Sequence, residues 1–534
     1  LGNEFPLSIT FNASNSAPKL DIRADINANI TVGSDLKKFT IKQLKSSYTL
    51  AGEPFGGKVV PASLNSTTII ADLTEDSSSL DQVVLSLANL SLSTTLDIEG
   101  LTKGPQLSGS IKVADFSLQK LLGSMGQPAI KTADSSVLNK VGFSTDISGG
   151  AEAINLSNIG INLDDTQYTG SLKYRAEGQF VGAKINGTTL NVNRYLPPEE
   201  PQSVQANSDA KSSSAGSASS TADNQPESPL LPLETVRSLN LDISFIQQKL
   251  IAKNLKLNDI TLLMKAGDGV ITVSEASGKL YEGNFDINAI IDATSDTPKW
   301  TLNKKINNIQ IMPLLQDFQN IEIISGGINA NASIKTTGNT VSTLKKAIKG
   351  KADFNFDKGA LHGFNLTKLT CEGVALINRD TITKSDWTNT SEFQAMKGQF
   401  TIKGNQFTNN NLTAAMSGLA LVGNGAIDVD ALSINYGIDL KAIGDLGDKA
   451  CRVNEKIKGL AIPVICKGDL TSDPAGLCKL DSSRLQELVT AAGKKELERK
   501  ADKEIDKQLD KYLGDGEEQS DTKKSVKKLF KKLF

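Results

Sequence analysis

The chain has 534 residues, with 58 Lys and Arg against 60 Asp and Glu and a formal net charge of −2, a balance that argues against nucleic acid as a partner. Aromatic residues make up 5% and there are 44 glycines, which suits many turns and small-residue strands better than an aromatic-rich pocket. No apolar run approaches the ~20 residues of a spanning helix, and the opening LGNEFPLSITF has neither an initiator Met nor a signal peptide, so the chain reads as trimmed or processed.

The first clear element runs from Leu20 to Val32, where Leu20, Ile22, Ala24, Ile26, Ala28, Ile30 and Val32 alternate with polar residues. Period two means a strand with one apolar and one wet face. Similar runs recur at 85–100, 238–245, 283–293 and 425–442, predicting antiparallel sheet throughout. Short helical patterns fall between strands at 114–126, 309–318, 340–350 and from about 363. Two of them resemble each other, since LSGSIKVADFSLQKLL (107–122) and WTLNKKINNIQIMPLL (300–315) both run a strand into a Leu-Leu helix, as a repeated supersecondary unit would.

Residues 197–232 hold six of the sixteen prolines and a serine-rich run, too little apolar surface to fold, and read as a disordered linker. After Leu480 a charged helix is predicted over 482–513, followed by a polar stretch at 514–521 and the tail KKSVKKLFKKLF at 523–534. On a helix, Val526, Leu529, Phe530, Leu533 and Phe534 share one face of that tail, suited either to a membrane surface or to packing on the protein's own sheet. The expected organisation is therefore 1–196 and 233–481 as two sheet-forming parts, 197–232 as the linker, and 482–534 as a helical tail.

At ~10 to 15 residues per strand with its turn, the sequence holds roughly 25 strands, and their apolar face requires a cover. A second sheet, helices or a bound apolar ligand could supply it. The short helices are too few, so composition leaves two architectures open: closed β-sandwich domains, or one long curved antiparallel sheet forming an elongated apolar groove, with short helices and a C-terminal helical tail.

Catalytic patterns are scarce. His362 is the single histidine and stands in GALHGF, where it reads as a surface or turn residue; no phosphate-binding glycine loop of the required context is present. Asp164 and Asp165 read as a turn. The four cysteines, Cys371, Cys451, Cys466 and Cys478, include no CxxC pair, so no metal site and no cofactor are expected, and the chain is read as non-enzymatic.

Several segments carry a resemblance in a consistent order. LNVNRYLPPEE (190–200) is similar to a strand signature of the AsmA family of Gram-negative envelope proteins, with Asn193 where Asp is usual. LSGSIKVADFSLQKLLGSMG (107–126), the series from Leu344 to Leu369, and IPVICKGDLTSDP (462–474) are similar to further family elements. This resemblance implies a periplasmic protein anchored to the inner membrane by an N-terminal helix outside this sequence, related to bridge-like lipid-transfer proteins. Its expected partners are phospholipids, with outer-membrane contact and a role in outer-membrane assembly. In such an oxidising compartment the cysteines are expected as disulfides: Cys466 with Cys478, which eleven residues separate, and Cys371 with Cys451 by elimination. Strand facing then nominates Ile22, Ile26, Ile30, Ile243, Ile287, Ile434 and Ile438 as groove-lining residues. Two other readings compete with a lipid conduit: an envelope scaffold or chaperone that holds outer-membrane proteins by open sheet edges, and a surface adhesin or polysaccharide binder.

Overall fold

The computed structural model describes residues 2–198, 227–378, 380–382, 386–444, 446, 451, 453, 457–490, 500, 503–504 and 507. These form 25 strands and five short helices, plus a helical stretch at 482–490, so the fold is mainly β as the alternation predicts. The chain divides into two compact units, the first comprising 1–318 and 329–350 and the second 319–328 and 351–534.

In the first unit sixteen strands, from Glu4–Ser16 to Lys299–Gln310, pair in chain order, each with the next. All of these pairings are antiparallel except that of Phe180–Asn191 with Asn240–Ala252, which is parallel. The expectation of antiparallel sheet throughout is corrected there. A parallel neighbour requires the intervening chain to return to the rim at which the first strand began. Of the expected linker, 199–226 lie outside the described residues. Residues 227–232 are described, and there Leu230 and Leu231 bond Asn339 while the Glu227 carboxylate accepts from Ser342. The division between units therefore does not fall at this segment.

The run at 85–100, which alternates without a break in the sequence, is the end of one strand, Ser77–Leu87, and all of another, Leu90–Glu99. Ala88 takes a left-handed φ of 50° at the turn between them. Likewise 425–442 spans the strands ending at Asp428 and beginning at Ser433. The helices fall where the pattern put them, at Leu118–Ser124, Ile311–Gln319, Val341–Ala347 and Leu366–Asn378; a further one, Leu233–Ser238, lies just past the Pro-rich stretch. Both copies of the suspected repeat do run a strand into a helix.

Many strands of the first unit carry a bulge. The pairing register shifts at Asn27/Asn29, Leu80/Val83, Val113/Phe116, Ser144/Asp146, Gly170/Leu172 and Asn258/Thr261. Gln43, Gln82, Asn158 and Asp259 have φ of 50°, 47°, 52° and 51° within these strands. A bulge adds one residue to a strand, bends it and leaves a ladder bond unmade. Buried polar side chains occupy those gaps: Ser66 Oγ donates to Asp81 O at 2.8 Å, Thr145 Oγ1 to Ser157 O at 3.0 Å, and Gln247 Nε2 to Thr188 O and Lys249 O. They satisfy carbonyls that would otherwise be buried without a partner.

In the second unit the strands from Ala395–Lys403 to Cys478–Leu480 also pair antiparallel in chain order. Helix Leu366–Asn378 packs on the last three of them. Its buried side, Leu366, Thr370, Cys371, Gly373 and Val374, faces the sheet, and a Cβ at Gly373 would sit 2.5 Å from Ile462 Cγ2. That close approach is why a glycine stands in this helix despite its cost to helicity.

Candidate functional site

Residues directly opposite one another in a ladder share a face, so the register traces each face of the first unit strand by strand. Starting from Ile22, Ala24, Ile26 and Ile30, the opposite residues are Leu50, Tyr48, Ser46 and Ile41. The same side continues through Leu64 and Ile69, Leu85 and Leu80, Leu92 and Leu96, then Val113 and Ile111. It proceeds through Phe143, Ile161 and Tyr168 to Ile185 and Ala183. Ala183 lies opposite Ile243, Ile243 opposite Met264, and Val273 opposite Ala289, on the strand that carries Ile287. Ile22, Ile26, Ile30, Ile243 and Ile287 therefore stand on one continuous apolar face, although sequence could assign each only to its own strand. The other side carries the charges, such as Arg23, Asp25, Lys45, Lys112, Lys184 and Lys265.

That face has little covering it. In the first unit, contacts between elements run mainly between neighbouring strands, with short segments such as Glu53–Phe55 and helix Leu233–Ser238 touching strand ends. Among the described residues no second sheet layer lies against it. Among the described residues, ten apolar residues of this unit are buried, against twenty-six in the smaller second unit. Ile22, Ile26, Ile30, Ile243 and Ile287 are all only intermediate in burial. On the first strand Phe5, Ile9 and Phe11, opposite Ile30, Ile26 and Ala24, are 41 to 46% exposed.

The two residues nominated in the second unit differ from these. Ile434 is intermediate in burial. Ile438 is 6% exposed, in the strand beside Val464, and belongs to the core under helix Leu366–Asn378 together with Leu421, Leu440 and Ile462. A row of rings, Phe393, Phe356, Phe354, Phe400 and Phe407, continues the packing at centroid separations of 5.2 to 6.3 Å. Two disulfides hold this unit, Cys466–Cys478 across paired strands and Cys371–Cys451, which ties the covering helix to a segment 80 positions on. The expected tail residues Val526, Leu529, Phe530, Leu533 and Phe534 lie outside the described residues.

The signature around Asn193–Arg194–Tyr195 has a structural role that spacing did not reveal. Arg194 Nε donates to Asp134 Oδ2 at 2.8 Å and Nη1 to Asp165 Oδ2 at 2.7 Å. Tyr195 Oη donates to Asp164 Oδ2 at 2.9 Å, and that same carboxylate accepts the backbone N–H groups of Leu138, Asn139 and Lys140. Asn193 exchanges hydrogen bonds with the backbone of Lys253. These bonds clamp three connections at one rim of the sheet: the loop before the strand from Val141, the turn at Asp164 and the turn at Lys253. Hydrogen bonds from Ser136, and then the Arg194 guanidinium, lower the Asp134 pKa to about 2. Burial, and then the Asp164 carboxylate, push Tyr195 up to about 12.

His362 ends a strand, and its Nε2 lies 2.8 Å from Ser325 Oγ, a neighbour that sequence spacing could not supply. No carboxylate partner for the ring appears among the described residues, so the pair lacks the orienting group of a nucleophilic triad. No cluster of metal-ligating side chains is found among the described residues.

A model of the AsmA family matches residues 10–412, most of the chain. The chain belongs to the AsmA family. It is thereby placed with envelope-associated proteins. Among curated proteins it is similar to Protein AsmA of Escherichia coli strain K12, 18% identical over 192 residues; the match spans 36% of this chain and 31% of that protein. Among the described residues no helix is long and apolar enough to cross a membrane.

Proposed function

We propose that the apolar face of the first unit is the floor of a groove that shields phospholipid acyl chains from water, and that this AsmA-family chain works without catalysis in the periplasm, at the inner membrane, in lipid transport supporting outer-membrane assembly. The observation that carries this reading is the continuous apolar face with no second sheet layer against it among the described residues. At ~25 cal/mol per Å² such a face is costly to leave in water, and acyl chains supply a cover of unspecific shape. The alternation of Ile, Leu and Val on this face presents mostly apolar side chains, which do not fix one ligand pose. Along these purely apolar stretches, selection comes from apolar length.

Native mass spectrometry with lipid extraction, on the 534-residue chain purified without detergent, tests the proposal. Several phospholipids per chain are expected, and replacing Ile26, Ile243 and Ile287 together by Asp should remove most of them while secretion and far-UV circular dichroism persist. A monodisperse protein free of lipid would end this reading, and copurifying outer-membrane barrel proteins would favour the scaffold in its place.

A further inference from the structure

The register places a charged residue within the apolar face. On strand Lys299–Gln310 the residues opposite Ile291, Ala289, Ile287 and Phe285 are Trp300, Leu302, Lys304 and Ile306. Lys304 thus stands in phase with three apolar neighbours on its own strand and directly opposite Ile287. The other lysines of this strand, Lys299 and Lys305, lie opposite Asp292 and Asp286, on the polar side. Among the described residues of the strands whose pairing fixes their facing, the remaining lysines, arginines and carboxylates of the first unit point to that polar side. Lys304 has no ion pair and no hydrogen-bond partner among the described residues. Its side chain remains accessible, yet the apolar surroundings desolvate the ammonium and lower its pKa. A lysine in this position does not strengthen the sheet, because an unpaired charge against apolar walls is unfavourable.

We propose that Lys304 receives the phosphodiester of an anionic phospholipid, a head-group stop within the otherwise apolar floor. The inference rests on the lipid-binding reading and adds a site and a preference to it. An anionic group beside Lys304 supplies the missing counter-charge, and in low-dielectric surroundings that pairing is stronger than at an open surface. A zwitterionic lipid carries its own ammonium, which competes for the same phosphate, so the site discriminates by head-group charge and not by acyl chain.

The test incubates the full chain with vesicles of equal phosphatidylglycerol and phosphatidylethanolamine of matched acyl chains, re-isolates the protein, and quantifies extracted lipid. The wild type is expected to enrich phosphatidylglycerol on the order of threefold over the vesicle ratio, as one partly desolvated charge contact gives. Lys304→Met and Lys304→Gln should return the ratio to that of the vesicles with total lipid per chain unchanged, whereas Lys304→Arg should retain the enrichment. Lys305→Met, which removes the same charge from the opposite face, should retain it too. Enrichment that survives Lys304→Met and Lys304→Gln, loss that follows Lys305→Met equally, or lipid bound by the wild type at the vesicle ratio would overturn the head-group site and leave the groove standing. A wild type that takes up no lipid would overturn both.

Discussion

Replacing Leu440 by Ala and, separately, Ile26 by Ala tests whether the two units differ in how their apolar faces are covered. Leu440 is 0% exposed, between Leu421 and Ile462 in the ladder and beneath a helix. Its truncation removes three carbons and leaves a cavity bounded on both sides, for a loss of about 3 kcal/mol. Ile26→Ala also removes three carbons, about 2.4 kcal/mol if they were fully buried. Ile26 is only intermediate in burial, and among the described residues no second layer closes over the space left behind. The transfer loss is therefore incomplete and the cavity loss small, giving about 1 kcal/mol. The two tryptophans allow the units to be read apart, since Trp300 belongs to the first and Trp387 to the second. Urea titrations followed by fluorescence, in Trp387→Phe and Trp300→Phe backgrounds respectively, would report the two losses. Equal losses near 3 kcal/mol would mean that protein covers the face of Ile26, and the groove reading would fail with that result.

Further outcomes follow from the same geometry. Converting Cys371 and Cys451 to Ser opens a loop with a sequence separation of 80 and should destabilise the second unit by about 4.5 kcal/mol on loop entropy, read by Trp387 fluorescence; an unchanged midpoint would mean the unfolded chain gains no freedom. Gly373→Val sets a side chain against Ile462 and should cost about 1 to 3 kcal/mol in that unit, with the thermal midpoint as the measure. At the rim, Asp134 has a folded pKa near 2 against an ordinary value of 3.8. Its contribution is present above the ordinary carboxylate pKa and is lost as pH falls from about 4 toward 2. Arg194→Met should raise the Asp134 pKa only part of the way back in a carboxyl NMR titration, because the Ser136 hydrogen bonds remain; full return to 3.8 would show that Arg194 alone sets it.

The sequence by itself determined the class of fold and the facing of individual strands. Alternation with period two is local, so Ile22 through Ile30 declare their own apolar side, and so do Ile243 and Ile287. Helix positions were legible for the same reason, since they rest on short patterns, whereas the sequence left the cysteine connectivity open and offered Cys371 with Cys451 only by elimination. Trp300, Leu302, Lys304 and Ile306 also alternate, but the pattern of that strand alone did not single out the lysine. Its importance needed the ladder, which shows that the neighbouring face positions are apolar and that the opposing residue is Ile287.

Only tertiary structure decided which strands share a face, because each bulge shifts the inward phase and the shift is set by the partner strand as much as by the bulged one. It also decided what covers that face. Ile26 and Ile438 sit in equally alternating strands, yet one is intermediate in burial and the other lies under a helix. The difference comes from helix Leu366–Asn378, tied by Cys371 to Cys451, which is distant in sequence from the strands it buries. Hydrophobic pattern states that a residue is to leave water. Where it goes depends on packing between segments far apart in the chain.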